Sequence, residues 1–305
     1  MFVILSSKKM EKTRQSYIYA GLAILFWSTV PTAFKISLGK LNILTMLTIA
    51  SVTSTFILLI VVIAGKKTHL IRMTSGKELL NSAILGFINP FIYYIILLKA
   101  YQLLPAQVAQ PLNMIWPIIL VFLSVPFLRQ KIENKSFIAL FVSFIGVYLI
   151  SSQGSPFKSG HSNLYGIFLA TGSSVFWSIY FILNVKDKRD EGVKLLLNFI
   201  FGSIFLIVTV VLTGKWQTSP GWVGTAASVY IGIFEMGITF FFWLKALQKA
   251  STTAKVSNLV YLSPFLSLFF VHFIIHEPVY YTTPLGLLFI ILGIFIQTAR
   301  SKVVV

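Results

Sequence analysis

Ten apolar segments dominate the chain, and each is long enough to cross the hydrocarbon core of a bilayer as a helix. They run at 17–37, 42–64, 79–99, 105–127, 136–152, 163–185, 194–213, 222–245, 252–275 and 282–299. In lipid, backbone polar groups must pair within the segment, which favours helices; a transmembrane β-barrel would show short alternating segments instead. The pattern therefore predicts an all-α integral membrane protein with ten transmembrane helices.

Composition supports a membrane location and excludes several classes of function. Only 11% of the 305 residues are charged, against about 25% in soluble domains. No cysteine is present, which excludes disulfides, thiolate nucleophiles and cysteine metal sites. Because no phosphate-binding glycine loop or metal-binding cluster of histidine and aspartate appears, no cofactor and no metal are expected. Transport by such a chain would be secondary rather than driven by ATP.

The net charge of +17 reflects membrane orientation rather than nucleic-acid binding. Basic residues lie at the ends of the apolar runs, as the positive-inside rule requires. With a cytoplasmic N-terminus, 20 of the 25 lysines and arginines fall inside. This bias predicts a multi-pass protein of the inner (cytoplasmic) membrane with both termini cytoplasmic, surrounded by lipid and without a nucleic-acid partner. The apolar run before Lys8 is too short for a signal peptide, and Met10 is a candidate start.

The chain repeats itself. GFINPFIYYIILLKAYQ at 86–102 aligns with GIFEMGITFFFWLKALQ at 232–248. Each half contains five predicted spans, and because five is odd the second half must enter from the opposite side. The predicted units are 17–152 and 163–299. Inverted repeats of this kind are common in secondary transporters, whose substrate sites lie near the midplane between the halves.

Several short motifs carry a family resemblance. They are FWSTVPTAFK in the first span, LKA at the ends of the third and eighth spans, and the paired patterns Glu133…Gly146 and Glu277…Gly293. These motifs resemble the EamA family of the drug/metabolite transporter superfamily, and the resemblance covers 17–299. It implies two inverted five-helix halves in a bacterial inner membrane and movement of small metabolites, often amino acids, usually outward. It also implies that spans 1, 3, 4, 6, 8 and 9 line the cavity.

Glu235 is the acidic residue that lies deep within a predicted span. Placing a carboxylate at the bilayer centre costs roughly 2.5–3.5 kcal/mol on insertion scales, so it should face protein or a wet cavity. It could couple transport to protons or pair with a substrate amine. Alternatively, it is a structural carboxylic acid bonded to a neighbouring helix. Its counterpart in the repeat is Asn89.

Other candidate substrate- or ion-binding residues share helical faces with polar or aromatic neighbours. They are Tyr93, Gln107, Gln110, Asn113, Trp116, Trp177, Tyr180, Asn184, Thr239, Trp243, Asn258 and Tyr261. The amides of the fourth span, spaced by three, predict one polar wall of a cavity. Hydrogen bonding between helices and ordinary aromatic packing are the alternative interpretations.

The first span carries a stripe formed by Ser28, Thr32 and Lys35, with Pro31 as a predicted bend. We expect this stripe to face the cavity. Lys35 lies near the outer end, where its side chain would extend to the interface by default. Binding of a substrate carboxylate is the alternative.

These features together predict a secondary transporter, more specifically an exporter, of small organic metabolites such as amino acids, working by alternating access at the interface between the halves. Protons are a possible coupling ion, and the oligomeric state stays open. One alternative is a membrane-embedded enzyme, whose candidate groups would be Glu133 on one side and Glu277 with His276 on the other. The other alternative is a non-transporting membrane receptor or assembly factor.

Overall fold

The computed structural model describes residues 2–128, 134–156, 163–249 and 258–298. Within these ranges every regular element is helical. The α-helices are α1 (Phe2–Leu38), α2 (Ile43–Ala64), α3 (Thr68–Arg72), α4 (Gly76–Gly86), α5 (Tyr93–Leu103), α6 (Ala106–Asn113), α7 (Trp116–Leu128), α8 (Asn134–Ser151), α9 (Leu164–Lys186), α10 (Glu191–Thr213), α11 (Trp222–Phe234), α12 (Ile238–Lys249), α13 (Leu262–Ile275) and α14 (Thr282–Thr298). A π-helical segment, Phe87–Ile92, joins α4 to α5, and a 3₁₀ segment, Asn258–Tyr261, precedes α13.

Length and composition make seven of the described helical stretches capable of crossing a membrane. Two shorter apolar helices, Leu259–Ile275 and Thr282–Ile296, accompany them. The predicted span at 105–127 is divided into α6 and α7 by a turn at Met114 and Ile115. α1, in contrast, stays helical through Pro31.

Apolar side chains cover the outside of the helical assembly. On α8, for example, Phe137, Phe141 and Phe144 are 57%, 69% and 57% exposed. A water-soluble protein would not present such a continuous apolar surface, whereas lipid solvates it without cost. The interior, by comparison, holds many buried polar residues, including Asn89, Gln107 and Asn198.

Two further spans are interrupted partway along their length. The first break lies in the π-helical segment, where Asn89 leaves the helical conformation (φ −145°, ψ 120°) and Pro90 lacks a backbone donor. The second lies between α11 and α12, where Glu235 follows the last residue of α11 and a turn precedes Ile238. Broken helices leave backbone groups available within the assembly, which membranes tolerate where protein or a cavity surrounds them.

The tightest helix pairing joins α8 to α14. A Cβ added at Gly146 would collide with the carbonyl oxygen of Gly286, and one added at Gly286 would collide with that of Gly146. A Cβ at Gly293 would strike the Ser143 hydroxyl. Small residues thus let the two backbones touch, as in other membrane helix pairs.

Candidate functional site

Glu235 lies at the break between α11 and α12, half-buried, with its carboxyl directed at α5. The hydroxyl of Tyr94 donates a hydrogen bond of 2.9 Å to its Oε1 atom. The side chain of Tyr94 is almost fully buried. A carboxyl group in the interior is therefore bonded to a helix from the other half of the chain.

A second chain of hydrogen bonds lies beside this pair. Tyr93 donates to Oδ1 of Asn113 at 3.2 Å, and Nδ2 of Asn113 donates to the Ser173 hydroxyl at 2.8 Å. All three residues are buried. The bonds connect α5, α6 and α9, and the rings of Tyr93 and Tyr94 pack edge to face at 4.7 Å.

Aromatic rings extend from Tyr93 towards α1 and α12. The ring of Trp177 on α9 lies 5.2 Å from that of Tyr93, 5.8 Å from that of Tyr180 and 6.1 Å from that of Phe240. The Trp27 ring lies 5.9 Å from Phe240 and 5.4 Å from Trp243. Trp116 contacts Trp177 at 6.5 Å. The predicted aromatic residues Trp116, Trp177, Tyr180 and Trp243 thus belong to one connected wall. We call Glu235, Tyr94, Tyr93, Asn113 and Trp177 the central cluster.

Asn89 and Asn184 lie near this wall, on its Tyr180 side. The Tyr180 hydroxyl has the amide groups of Asn198, Asn89 and Asn184 around it, with Nδ2 of Asn198 at 3.5 Å. Asn198 was not among the residues predicted from the sequence.

The amides of the predicted polar wall do not stay together. Oε1 of Gln107 accepts from the Tyr280 backbone at 3.0 Å and from the Thr283 hydroxyl at 3.2 Å, and its Nε2 donates to the Pro278 carbonyl. Gln110 accepts a bond from Ser267 on α13. Of the amides on α6, Asn113 therefore joins the central cluster, while Gln107 and Gln110 attach α6 to α14 and α13.

The predicted stripe on α1, formed by Ser28, Thr32 and Lys35, lies mostly in the interior, but its residues have no common partner. Ser28 donates back to the Ile24 carbonyl, and the Thr32 hydroxyl is buried without a hydrogen-bond partner among the described residues. Lys35 does not simply extend to an interface, as the default interpretation had it. Its Nζ donates to the Leu104 carbonyl at 2.7 Å and lies 3.5 Å from Oε1 of Glu277.

Three residues predicted for the site are not part of the central cluster as the structure describes it. The Thr239 hydroxyl bonds the Phe234 carbonyl and so bridges the break beside Glu235. Tyr261 packs its ring on Phe295 at 6.3 Å. Asn258 begins the 3₁₀ segment, and its side chain lies outside the described residues.

The sequence model of the EamA-like transporter family matches residues 14–152 and 164–299. The chain belongs to the EamA-like transporter family. This EamA-family protein is thus a multi-pass membrane protein whose partners are membrane lipid and a small molecule.

Relatives of this EamA-family protein carry transporter names. An "Uncharacterized transporter" of Clostridium kluyveri is 25% identical over 95% of this chain and 94% of its own length. The "Uncharacterized transporter YvbV" of Bacillus subtilis is 25% identical over 97% and 95%. A crystal structure, described only as that of a protein, has a TM-score of 0.66 and 16% identity and covers 94% of this chain and 97% of that one. This last likeness concerns the fold alone.

Sequence reasoning missed several members of the site. Tyr94 is adjacent to the predicted Tyr93, and a helical-face argument discards it because neighbours point about 100° apart. Trp27, Phe240, Ser173 and Asn198 also went unrecognised. The motif FWS places Trp27 beside Ser28, so its repetition in the chain is the signal that could have identified it.

Ionic contacts cluster around the turn between α9 and α10. Nε of Arg189 donates to Oδ1 of Asp187 at 3.0 Å, and a second guanidinium nitrogen reaches Ser82 at 2.8 Å. Burial opposes ionisation of Asp187, but the hydrogen bonds and charge of Arg189 hold its pKa below the ordinary value. Buried Lys194 donates to Glu191 and to two carbonyls at the end of α9. In the described parts of the chain, no group of three histidine, aspartate or glutamate side chains could hold a metal.

Proposed function

We propose that the protein is a ten-span secondary transporter that exports small organic metabolites, such as amino acids, by alternating access between its halves, 17–152 and 163–299. The observation that carries the proposal is the Glu235 carboxyl, placed at a helix break in the interior and bonded to Tyr94 of the opposite half. Intramembrane carboxyls that are not merely structural bind substrates or relay protons.

The helix breaks at Asn89 and Glu235 support an inverted-repeat construction. Asn89 and Glu235 are 146 residues apart, the offset at which the two halves align. Each lies where its helix is interrupted. Discontinuous helices at matching positions of the halves mark the substrate site in many secondary transporters.

The residues around the breaks suit an amphipathic substrate. Glu235 would bind an amine or a proton, Asn113 would orient polar groups, and Trp177 with Trp243 would pack on an apolar part. Asn89, Tyr93, Trp116, Tyr180 and Asn184 would complete the walls. Gln107, Gln110, Ser28, Thr239 and Lys35 would contribute only where their own hydrogen bonds open during the transport cycle. Thr32, Asn258 and Tyr261 would contribute from the edges of the site.

The charge bias supports a cell-membrane protein with both termini cytoplasmic. In that orientation the Lys35–Glu277 pair lies at the outer end of the assembly, and Asp187, Arg189 and Lys194 lie at the inner end. Glu277 is occupied by Lys35 and by the Ala106 backbone N–H, which donates to Oε2 at 2.8 Å. This engagement weakens the enzyme alternative, in which Glu277 would have to act on a substrate.

Transport by the purified protein in proteoliposomes tests the proposal. Radiolabelled amino acids are followed with and without an imposed pH gradient, in vesicles of both protein orientations. Wild-type protein should transport at least one substrate, and Glu235→Gln should lose gradient-driven accumulation while keeping its fold. Glu191→Gln, which alters a carboxylate outside the apolar segments, is the matched control. Unchanged accumulation by Glu235→Gln would remove proton coupling, and a wild-type protein that binds but never transports would favour the receptor alternative.

A further inference from the structure

The connection between α2 and α4 is strongly basic and contains the short helix α3. It reads GKKTHLIRMTSGKE over 65–78, with four basic residues and one acidic residue, and so has a net charge of +3 with histidine neutral. We call residues 65–78 the basic segment. The contacts of the basic segment determine which of its charges are free to meet a partner.

The basic segment is held against the helical assembly at several points. Leu70 and Ile71 pack on the hydrophobic core. The ammonium group of Lys67 lies 2.5 Å from Oδ2 of Asp190, at the beginning of α10. The hydroxyl of Thr74 donates to the Leu70 carbonyl at 3.1 Å. The basic segment is therefore a positioned element of the fold, and its exposed side chains are presented from a defined place.

Three basic side chains of the basic segment have no acidic partner. Lys66, Arg72 and Lys77 are exposed, and none of them forms a side-chain hydrogen bond or an ion pair with another described residue. The acidic residue of the segment, Glu78, is engaged in the N-terminal cap of α4, where it accepts from the Ser75 N–H at 2.8 Å and from the Ser75 hydroxyl at 2.7 Å. The outward charge of the basic segment is thus positive and uncompensated within the described part of the chain.

On α4, the free charge continues a surface that faces lipid. Leu80 and Ile84 are 63% and 48% exposed. Lys77 lies on the same stripe, at the spacing i, i+3, i+7 that brings residues to one face of a helix. Along the helix axis it is about 5 Å, or roughly one turn, from Leu80. The ammonium group of Lys77 therefore stands at the edge of the apolar surface of α4, where lipid headgroups begin.

The lipid-facing surface of α2 ends in the same way. Phe56, Ile60 and Ile63 are exposed along this helix, and Lys66 comes two residues after its last residue. Between the two lysines, the apolar side chain of Met73 is 74% exposed. Both α2 and α4 pack on α10. Two apolar surfaces that adjoin the same helix thus lead into the unpaired charges of the basic segment.

We propose that the basic segment binds the phosphate headgroups of anionic phospholipids and so anchors this end of the protein to the membrane surface. A lysine beside a lipid-facing helix extends its ammonium group to the headgroups while its methylene stem stays with the acyl chains. Anionic lipids attract basic residues next to a span by about fivefold per charge. The apolar surfaces that lead into Lys66 and Lys77 favour a lipid over an acidic protein, which would approach from the water.

Thermal unfolding of the purified full-length protein in a non-ionic detergent tests this binding. The unfolding midpoint is followed as phosphatidylglycerol, phosphatidylcholine, glycerol 3-phosphate or polyglutamate is added. We expect phosphatidylglycerol to raise the midpoint saturably, because a ligand that binds only the folded state stabilises it. Phosphatidylcholine should need a concentration about 100-fold higher for the same rise, since three unpaired charges contribute about fivefold each. Glycerol 3-phosphate, which has no acyl chains, and polyglutamate should leave the midpoint unchanged at the same concentrations.

Two triple variants separate local binding from a general effect of charge. The preference for phosphatidylglycerol over phosphatidylcholine should disappear when the unpaired charges of the basic segment are removed together by Lys66→Gln, Arg72→Gln and Lys77→Gln. The matched control removes the same number of charges from exposed lysines near the other end of α10, and should keep the preference; it combines Lys40→Gln, Lys99→Gln and Lys215→Gln. A double variant that retains the charge, Lys66→Arg with Lys77→Arg, should also keep the preference.

Several results would overturn the proposal. Equal effects of the two phospholipids on wild-type protein would do so, as would an undiminished preference in the triple variant of the basic segment or an equal loss in both triple variants. A rise with glycerol 3-phosphate as large as that with phosphatidylglycerol would assign the charges to a soluble phosphate. A rise with polyglutamate alone would assign them to an acidic protein. Each of these results would leave the transport proposal intact, because the proteoliposome assay measures transport separately.

Discussion

The ammonium group of Lys35 lies 3.5 Å from Oε1 of Glu277, and this ion pair connects α1 to the loop before α14. The same two side chains hold the turn between α5 and α6, because Lys35 donates to the Leu104 carbonyl and Glu277 accepts from the Ala106 N–H. Both side chains are about four-fifths buried, at 22% and 19% exposed. One pair therefore fastens three separate parts of the chain at one end of the assembly.

Breaking the Lys35–Glu277 ion pair should increase the fraction of time for which this end of the helical assembly is open. Glu277→Gln removes the charge but keeps the shape, and we expect a loss of about 1 kcal/mol in the closed arrangement, equivalent to about fivefold. The chain has no native cysteine, so a single cysteine at Thr32, a buried position three residues before Lys35 on α1, can report the opening. A membrane-impermeant maleimide should label Thr32→Cys about fivefold faster in the Glu277→Gln background.

Lys99→Met provides the control for this labelling experiment. Lys99 is an exposed lysine that contacts Gln102 on its own helix, so its loss should leave the labelling rate unchanged. Equal labelling in the Glu277→Gln and parent backgrounds would mean that the ion pair does not restrict opening.

Tyr94→Phe should reveal how strongly the buried carboxyl depends on its donor. The variant deprives Glu235 of the 2.9 Å hydrogen bond and should lower the free energy of unfolding by about 1–3 kcal/mol. Tyr101→Phe, on the same helix and packed on Phe34, is the matched control and should cost less. In a double-mutant cycle with Glu235→Gln, additive losses would show that the two side chains are not coupled.

The contact between α8 and α14 should tolerate no added methyl group. Gly146→Ala places a Cβ against the Gly286 carbonyl, and the resulting strain should cost about 1–3 kcal/mol. A Cβ at Gly172 on α9 meets nothing within 4 Å, so Gly172→Ala should be neutral or slightly stabilising. Thermal unfolding midpoints distinguish the two, and equal midpoints would contradict the close approach.

Acid should weaken the turn between α9 and α10 through Asp187. Arg189 holds the pKa of Asp187 below its ordinary value despite partial burial. Such a group stabilises the fold above its unfolded pKa of about 3.9, and the contribution disappears as pH falls through the folded pKa. The thermal unfolding midpoint should therefore decrease once the pH is lowered below about 4. Asp187→Asn and Arg189→Leu should both make this decrease smaller. If the midpoint decreases as steeply in both variants as in wild type, titratable groups other than Asp187 cause the loss of stability in acid.

The sequence predicts the helices of this protein better than it predicts their interruptions. Long apolar runs locate helices because lipid leaves the backbone no other partner. Pro90 also indicates the first break, since it removes a backbone donor. No proline in the sequence predicts the second break, at Glu235. Its position depends on how α11, α12 and α5 pack.

The candidate site was predictable residue by residue only where a residue is improbable in lipid. Glu235 and Asn89 stand out for this reason. The amides of α6 were expected on one face, but residues three apart drift by about 60° around a helix, so Gln107 and Asn113 point about 120° apart. Lys35 finds its partner in Glu277, far away in the chain, and no local pattern could supply that pairing.

The contact of Gly146 with Gly286 has a practical consequence for measuring motion in this protein. With no side chains between them, α8 and α14 have no room to slide or rotate against each other without collision. They should keep one mutual distance through any rearrangement elsewhere. Spin labels attached to α8 and α14 would give a fixed reference distance, with which the displacements of the broken helices could be compared.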